Sequence, residues 1–210
     1  MYNKKPIFVT FEGIEGSGKS YQCKKLYNKI KKLRIPLIIT REPGGSRGAE
    51  KIRNLILRGK KNKFSKKTDT LLYLAARNEH IEKTINIALK SKQNILCDRF
   101  IDSTLAYQVY GDGVNESLVK NIHKHILGKA KPDITFLLTV NLKTAFIRIK
   151  KRKYMNRYDK FPKNFYKKVQ KGFLKIAKKN KKRYFIIDNS EDSKKVEDVI
   201  FKKFLSLKKK

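Results

Sequence analysis

The sequence predicts an α/β fold in three layers, α/β/α, with a five-stranded parallel sheet in the middle. Two observations predict it. Five short apolar runs, at 7–11, 36–40, 94–97, 134–140 and 184–187, alternate with stretches of helical periodicity. Each run reads as buried on both faces, the mark of a parallel sheet covered by helices. At 210 residues one domain with a sizeable core is expected, and neither an internal repeat nor a linker divides it.

The first strand, 7–11, runs into a glycine-rich turn and then a helix over 18–33, with Tyr21, Leu26, Tyr27, Ile30 and Leu33 at helical spacing. Strand 36–40 leads to the turn-rich Arg41-Glu-Pro-Gly-Gly-Ser46 and a helix over 48–57. Residues 60–67 are polar and basic and read as an exposed connection. Thr68-Asp69 can cap a long helix over 70–91, with Leu71, Leu74, Ile81, Ile85 and Leu89 on its apolar face. Strand 94–97 ends in Asp98-Arg99. Helical segments at 102–109 and 115–127 flank Gly111-Asp-Gly113. Pro132 precedes strand 134–140, and Asn141 or Thr144 can start the next helix. Residues 150–163 are dense in Lys, Arg and Tyr without an apolar period. A helix over 164–180, strand 184–187 and a last helix over 193–207 complete the chain.

Gly13, Gly18, Lys19 and Ser20 fit Gly-x-x-x-x-Gly-Lys-Ser between a strand and a helix, which makes a phosphate-binding P-loop and a P-loop NTPase fold. The loop Gly13, Ile14, Glu15, Gly16, Ser17, Gly18, Lys19, Ser20 can curl so that backbone N–H groups point inward as an anion cradle. The positive end of the following helix adds to it. Lys19 would reach the β/γ-phosphates of a nucleoside triphosphate, and Ser20 would hold Mg²⁺. Ligands in such sheets bind beyond the strands' C-terminal ends. The loop, Arg41, Asp98-Arg99 and the stretch after Val140 all follow such ends, so they should share one crevice.

Composition bounds the partners. Fifty-three basic against 18 acidic residues give a net charge of +35, which invites a nucleic-acid reading. Yet 42 of the 53 are Lys, spread over the whole length, whereas base and phosphate recognition favours Arg forks. Abundant Lys, Asn and Ile accord with A/T-rich codons. A mostly solvated lysine surface is expected, and nucleic acid is not expected as a specific partner. Cys23 and Cys97 cannot build a disulfide framework and read as buried or half-buried thiols of a reducing compartment. No apolar run approaches membrane-spanning length. Lys4 and Lys5 precede only five strand-like residues before Glu12, so no signal peptide and a cytoplasmic location are expected.

Taken together, the motifs resemble the thymidylate kinase family over nearly the whole chain. The resemblance rests on Phe-Glu-Gly-Ile-Glu-Gly-Ser-Gly-Lys-Ser at 11–20, Thr40-Arg-Glu-Pro-Gly-Gly45 and Leu71-Leu-Tyr-Leu-Ala-Ala-Arg77. It rests further on Asp98-Arg99-Phe100, Ser103-Thr104, Ala106-Tyr107-Gln108 and Pro132-Asp133. It implies phosphorylation of dTMP to dTDP by ATP with Mg²⁺, a homodimer, and a lid at about 148–160. Arg41 and Arg99 would hold the acceptor phosphate, and Asp98 would act on the Mg²⁺ shell or on Arg99. Pro43 would sit in the family's tight turn, after a cis Glu42–Pro43 bond. Tyr73 would stack on thymine, and Arg77, four residues on, would donate to its exocyclic oxygen. Ser103 and Thr104 would approach the base edge, joined by Gln108. Tyr107 would crowd the 2′ position, and Glu15 would contact the 3′-OH.

Some relatives carry a basic catalytic residue where this chain has Gly16, so the resemblance moves that charge to the lid. Arg152 and Arg157 are the first choices there and Arg148 the next. Two positions depart from the family pattern: Thr139 and Asn156 stand where Asp is common. The competing readings are another deoxynucleotide or nucleoside kinase, with Glu12 as a carboxylate base, and a basic nucleic-acid-binding P-loop protein. The helices at 48–58, 70–91 and 102–127 are the expected places for an apolar face toward a partner.

Overall fold

The structure, a computed structural model, describes residues 5–59, 63–153, 155–191 and 193–208. Five parallel strands form one sheet in the order β2-β3-β1-β4-β5. They are β1 Phe8–Glu12, β2 Leu37–Arg41, β3 Asn94–Asp98, β4 Ile134–Thr139 and β5 Tyr184–Asp188. The central strand β1 is buried throughout and pairs with both β3 and β4. Side-chain alternation then sorts its residues between two layers. Val9 and Phe11 pack with Cys23, Leu26 and Ile30 of helix α1 (Lys19–Lys32). Phe8 packs on the other face with Ile81, Ile85 and Phe100. A third cluster gathers Tyr107, Tyr158, Phe165, Val169 and Phe173.

Three expectations change. The edge strands are half-exposed, with Ile39 of β2 at 42% and Ile186 of β5 at 49%, because an edge has a neighbour on one side only. After α2 (Arg47–Leu57), the long helix starts earlier than expected. Its first segment, α3, spans Lys66–His80, and Ser65 caps it by accepting the Thr68 N–H. Asp69 thus lies inside the first turn and faces Arg157 instead of capping. The helix continues through a π turn, Ile81–Ile85, into α4, Asn86–Lys90. Of the connection expected over 60–67, residues 60–62 lie outside the described residues.

The third change comes after β3. A single α turn, α5 (Ile101–Thr104), passes into π helix over Leu105–Gly111, which carries Tyr107 and Gln108. Such π segments concentrate at functional sites. Helix α6 (Glu116–Ile126) is capped by Asn115, and α7 (Leu142–Lys150) by Asn141 rather than Thr144. A 3₁₀ turn at Tyr158–Lys160 precedes α8 (Lys163–Lys179), and α9 (Ser193–Lys208) closes the fold. Both cysteines are buried and free, and burial pushes both thiols up. Among the described residues no helix is long and apolar enough to cross a membrane.

Candidate active site

The expected convergence is seen. A crevice of about 1040 Å³ opens beyond the C-terminal ends of β1, β2 and β3, large enough for two nucleotides end to end. Its floor is the loop after β1. Gly18 precedes α1 in the left-handed region (φ 90) and offers no capping side chain, so the first N–H groups of α1 are left for an anion. Gly16 has φ 74 and abuts the backbone of α7 at Ala145. Lys19 is buried and folds along its loop, with Nζ 2.7 Å from Ile14 O and 3.5 Å from Ser17 Oγ. Burial, with help from nearby Arg99, pushes Lys19 down to about 7.

β3 delivers Asp98 and Arg99. The Ser20 hydroxyl donates to Asp98 Oδ2, while Asp98 Oδ1 is buried with no hydrogen-bond partner. A hydroxyl beside a carboxylate with a spare oxygen fits Mg²⁺, which keeps waters and phosphate oxygens as most of its ligands. No cluster of three or more His, Cys, Asp or Glu occurs among the described residues, so an all-protein metal cage is not what this site offers.

Arg99 takes φ 71, and this turn aims its guanidinium back over the loop. Nη1 donates to Gly13 O (3.2 Å) and Ser103 Oγ (3.1 Å); Nη2 donates to Glu15 (2.7 Å). The group lies 5.0 Å from the Tyr107 ring, whose hydroxyl donates to Glu15. Burial alone would raise the Glu15 carboxyl, but Arg99 and Lys19 hold it below its usual range. Arg99 itself is held well above its ordinary value: burial opposes this, and Tyr107 and Glu15 outweigh it.

At the end of β2, Arg41 is exposed and forks onto Glu50 of α2, at 3.1 Å to each oxygen. The Glu42–Pro43 bond is cis, as expected. Arg53 of α2 donates to Pro43 O (2.6 Å) and also lines the crevice. Sequence reasoning missed it. Its signal was a second Arg on the helix after the Pro-Gly-Gly turn, three residues from Glu50.

The far wall is aromatic. Tyr73 of α3 and Tyr107 each meet Tyr158 edge-on, with centroids 6.1 and 5.9 Å apart. Tyr158, from the 3₁₀ turn Tyr158–Lys160, was likewise missed; only its place beside Arg157 hinted at it. Gln108 Nε2 lies 3.4 Å from Tyr158 Oη. Arg77 lines the crevice but is itself buried, and its nitrogens are held by Glu42, Thr104, His123 and the Phe100 carbonyl. Glu12 accepts from Phe100 N, Ser103 N and Ser103 Oγ, so it caps the turn that carries Arg99. Burial, helped by nearby Asp102, pushes the Glu12 carboxyl up to about 8.

The three basic candidates after β4 differ. Arg148 clamps the carbonyls of Gly16, Asn189 and Ser190, joining the phosphate loop to the β5 end. Arg152 lines the crevice and pairs with Asp159 at 2.7 Å. Arg157 does not line it: the side chain is buried, paired with Asp69 of α3 and lying over Tyr158.

Comparison with known proteins agrees with this geometry. The sequence model of the thymidylate kinase family matches residues 11–200. The thymidylate kinase of Wolbachia pipientis wMel is 43% identical over 187 residues, 88% of this chain and 92% of that protein. That of Ruegeria pomeroyi is 40% identical over 187 residues, covering 89% of this chain and 88% of its own. The crystal structure of thymidylate kinase from Ehrlichia chaffeensis superposes with a TM-score of 0.77 at 33% identity, covering 95% of this chain and 98% of that one. Matched by that family model over residues 11–200 and by relatives 40–43% identical over most of their length, the chain belongs to the thymidylate kinase family.

Proposed function

We propose that this crevice transfers the γ-phosphoryl group of ATP to dTMP, giving ADP and dTDP, with the following division of labour. The observation that carries it is the position of Arg99. It bridges Gly13 of the donor loop and Glu15, so an acceptor phosphate held by Arg99 lies against the phosphates held by the loop. Phosphoryl transfer asks the protein for in-line positioning and charge neutralisation more than for covalent chemistry.

ATP would lie on residues 13–20, with Lys19 swinging from Ile14 O to the β/γ-phosphates. Ser20 and Asp98 would hold Mg²⁺, which would neutralise charge on the ATP phosphates. Arg41, Arg53 and Arg99 would take the dTMP phosphate; for Arg41 that means exchanging the Glu50 carboxylate for a phosphate. Tyr73 would face the thymine ring and Tyr107 the 2′ carbon, with Glu15 on the 3′-OH. The attacking phosphate oxygen is already largely deprotonated near neutral pH, its second pKa being about 6, so no general base is needed. Arg152, already on the crevice wall, would neutralise the transferred group when the lid at about 148–160 closes and excludes water. Arg157 would reach it only by leaving Asp69.

A homodimer is part of this reading. Leu55 of α2 and Leu71 of α3, each 42% exposed, offer apolar surface on two helices that pack together. Two buried thiols suit a cytoplasmic location. The test is ADP release at fixed ATP with dTMP, dUMP, thymidine and the ribonucleoside monophosphates. Turnover with dTMP well above all ribonucleotides and above thymidine is expected. Equal turnover of thymidine, or none with dTMP, overturns the reading.

A further inference from the structure

Beneath the donor loop lies a buried amide that the roles above leave unused. Asn189 directly follows β5 and is 2% exposed. It does not line the crevice, whereas Gly18 does. Asn189 is fixed from three sides. Its N–H donates to Thr139 O at the end of β4 (2.9 Å), and its carbonyl accepts from Arg148 Nη1 of α7 (2.7 Å). Its side-chain Nδ2 donates to Ser17 O of the loop (2.7 Å). The amide also lies hard against Gly18, where a Cβ would stand 2.3 Å from Nδ2.

The direction of each group follows. A carbonyl oxygen only accepts, so the amide must turn its NH₂ toward Ser17 O. Asn189 Oδ1 is left buried, with no partner among the described residues. A trans peptide is planar, and its C=O and N–H point to opposite sides. Holding Ser17 O on the β5 side therefore turns the Gly18 N–H of the same peptide the other way, toward the crevice that Gly18 lines. That N–H has no hydrogen-bond partner among the described residues. The carbonyls on either side are tied as well, Gly16 O to Arg148 and Gly18 O to the Gln22 N–H (3.0 Å).

We propose that Asn189 is a positioning residue for the phosphoryl donor: by holding Ser17 O it keeps the Gly18 N–H aimed at the ATP phosphates. This rests on the loop being the ATP site. Asn189 acts without touching ATP, and what the loop asks of it is one donor at one point. Without that donor Ser17 O is a buried orphan, and the Ser17–Gly18 peptide can rotate to find another partner.

Asn189→Leu keeps the branching of the side chain and removes the donor. It should raise the KM for ATP roughly tenfold and leave the KM for dTMP unchanged. Melting should shift little, because one unpaired buried oxygen, Asn189 Oδ1, is removed as another, Ser17 O, is created. Asn189→Asp at pH 8, with its carboxyl ionised, sets oxygen against oxygen beside the phosphates and should raise the KM for ATP further; it serves if the leucine variant does not fold. The direct readout is the Gly18 amide in protein carrying ¹⁵N-labelled glycine. Saturating ADP with Mg²⁺ should move its proton signal downfield in the wild type and markedly less in either variant. An unchanged KM for ATP with a wild-type Gly18 shift overturns the proposal, and so does an equal rise of both KM values. If ADP leaves the Gly18 amide unmoved in the wild type too, the reading of the loop as the donor site falls with the proposal. If ADP moves it equally in wild type and variants, the donor site stands and only the positioning role falls.

Discussion

Gly16 offers the sharpest test of the proposal that the extra positive charge comes from residues 148–160. The residue sits at φ 74, and a Cβ there would overlap the Ala145 carbonyl oxygen and stand 2.9 Å from Ala145 Cα. The left-handed conformation costs a non-glycine residue roughly 1–2 kcal/mol. Overlap with backbone cannot be relieved by a side-chain rotation, so α7 or the loop must shift, at roughly 1–3 kcal/mol more. Arg148 resists that shift, because it ties Gly16 O and Asn189 O to α7 at 3.3 and 2.7 Å. Gly16→Ala should therefore cost about 3 kcal/mol. Taken up by the whole fold, that lowers the melting temperature by about 6–12 °C. Taken up by the loop, it raises the KM for ATP roughly a hundredfold with the dTMP KM little changed. Thermal unfolding with and without ATP, beside the two KM values, divides the cost between them. A corollary follows: Gly16→Arg should not rescue an Arg152→Ala enzyme. Wild-type melting and wild-type ATP KM in Gly16→Ala would refute the steric account, and so would rescue by Gly16→Arg.

Lys19→Ala should lower kcat by three orders of magnitude or more and leave the melting temperature equal or higher, since a buried ammonium is removed. Burial holds Lys19 at about 7 in the free enzyme, so above pH 7 it must gain a proton to meet the triphosphate. ATP affinity should then fall as pH rises from 7 to 9, with proton uptake seen by calorimetry in two buffers; Lys19→Ala should show no such uptake. Asp98→Asn should raise the Mg²⁺ concentration for half-maximal rate about tenfold or more, read from a Mg²⁺ titration at saturating ATP. The two lid arginines should part company. Arg152→Ala should lower kcat by roughly a hundredfold with normal melting. Arg157→Ala should leave Asp69 without its buried partner and destabilise the fold by about 3 kcal/mol in a denaturant titration.

What could be read beforehand follows from how far each contact reaches along the chain. The strand, the glycine turn and α1 are contiguous, and their residue types allow little else, so the phosphate loop and the sheet around it were legible. The burial of β2 was misjudged because strand order decides which strands lie at an edge, and order is set by crossovers. The start of α3 was misplaced because Ser65, Thr68 and Asp69 are all capping types. Only the fold shows that Asp69 is drawn to Arg157, 88 positions away. Tyr158 and His123 escaped for the same reason. Each reaches the crevice side through a partner from another element, Tyr158 through Tyr107 and His123 through Arg77, 46 positions distant. Local pattern carries no trace of such pairs.

The unusual composition also acquires a physical meaning. The chain has 11 arginines, and six of them line the crevice: Arg41, Arg53, Arg77, Arg99, Arg148 and Arg152. Of its 42 lysines, Lys19 and Lys24 alone do so among the described residues. The ion pairs divide in the same way. The paired carboxylates of Arg77, Arg99, Arg152, Arg157 and Arg183 are buried or nearly so, whereas Lys29 and Lys120 meet exposed partners; Lys25, on the buried Glu197, and Arg41, on the exposed Glu50, are the exceptions. A solvated surface asks only for a point charge, which Lys supplies as well as Arg. A desolvated site asks for a flat fork with fixed donors, able to hold a phosphate or two carbonyls at once. Lysine has taken the places where either residue serves, and arginine holds those where geometry decides. On this argument Arg99→Lys and Arg148→Lys are not conservative: each keeps the charge and loses the simultaneous contacts to Gly13 and Glu15, or to Gly16, Asn189 and Ser190, that hold the two halves of the crevice together.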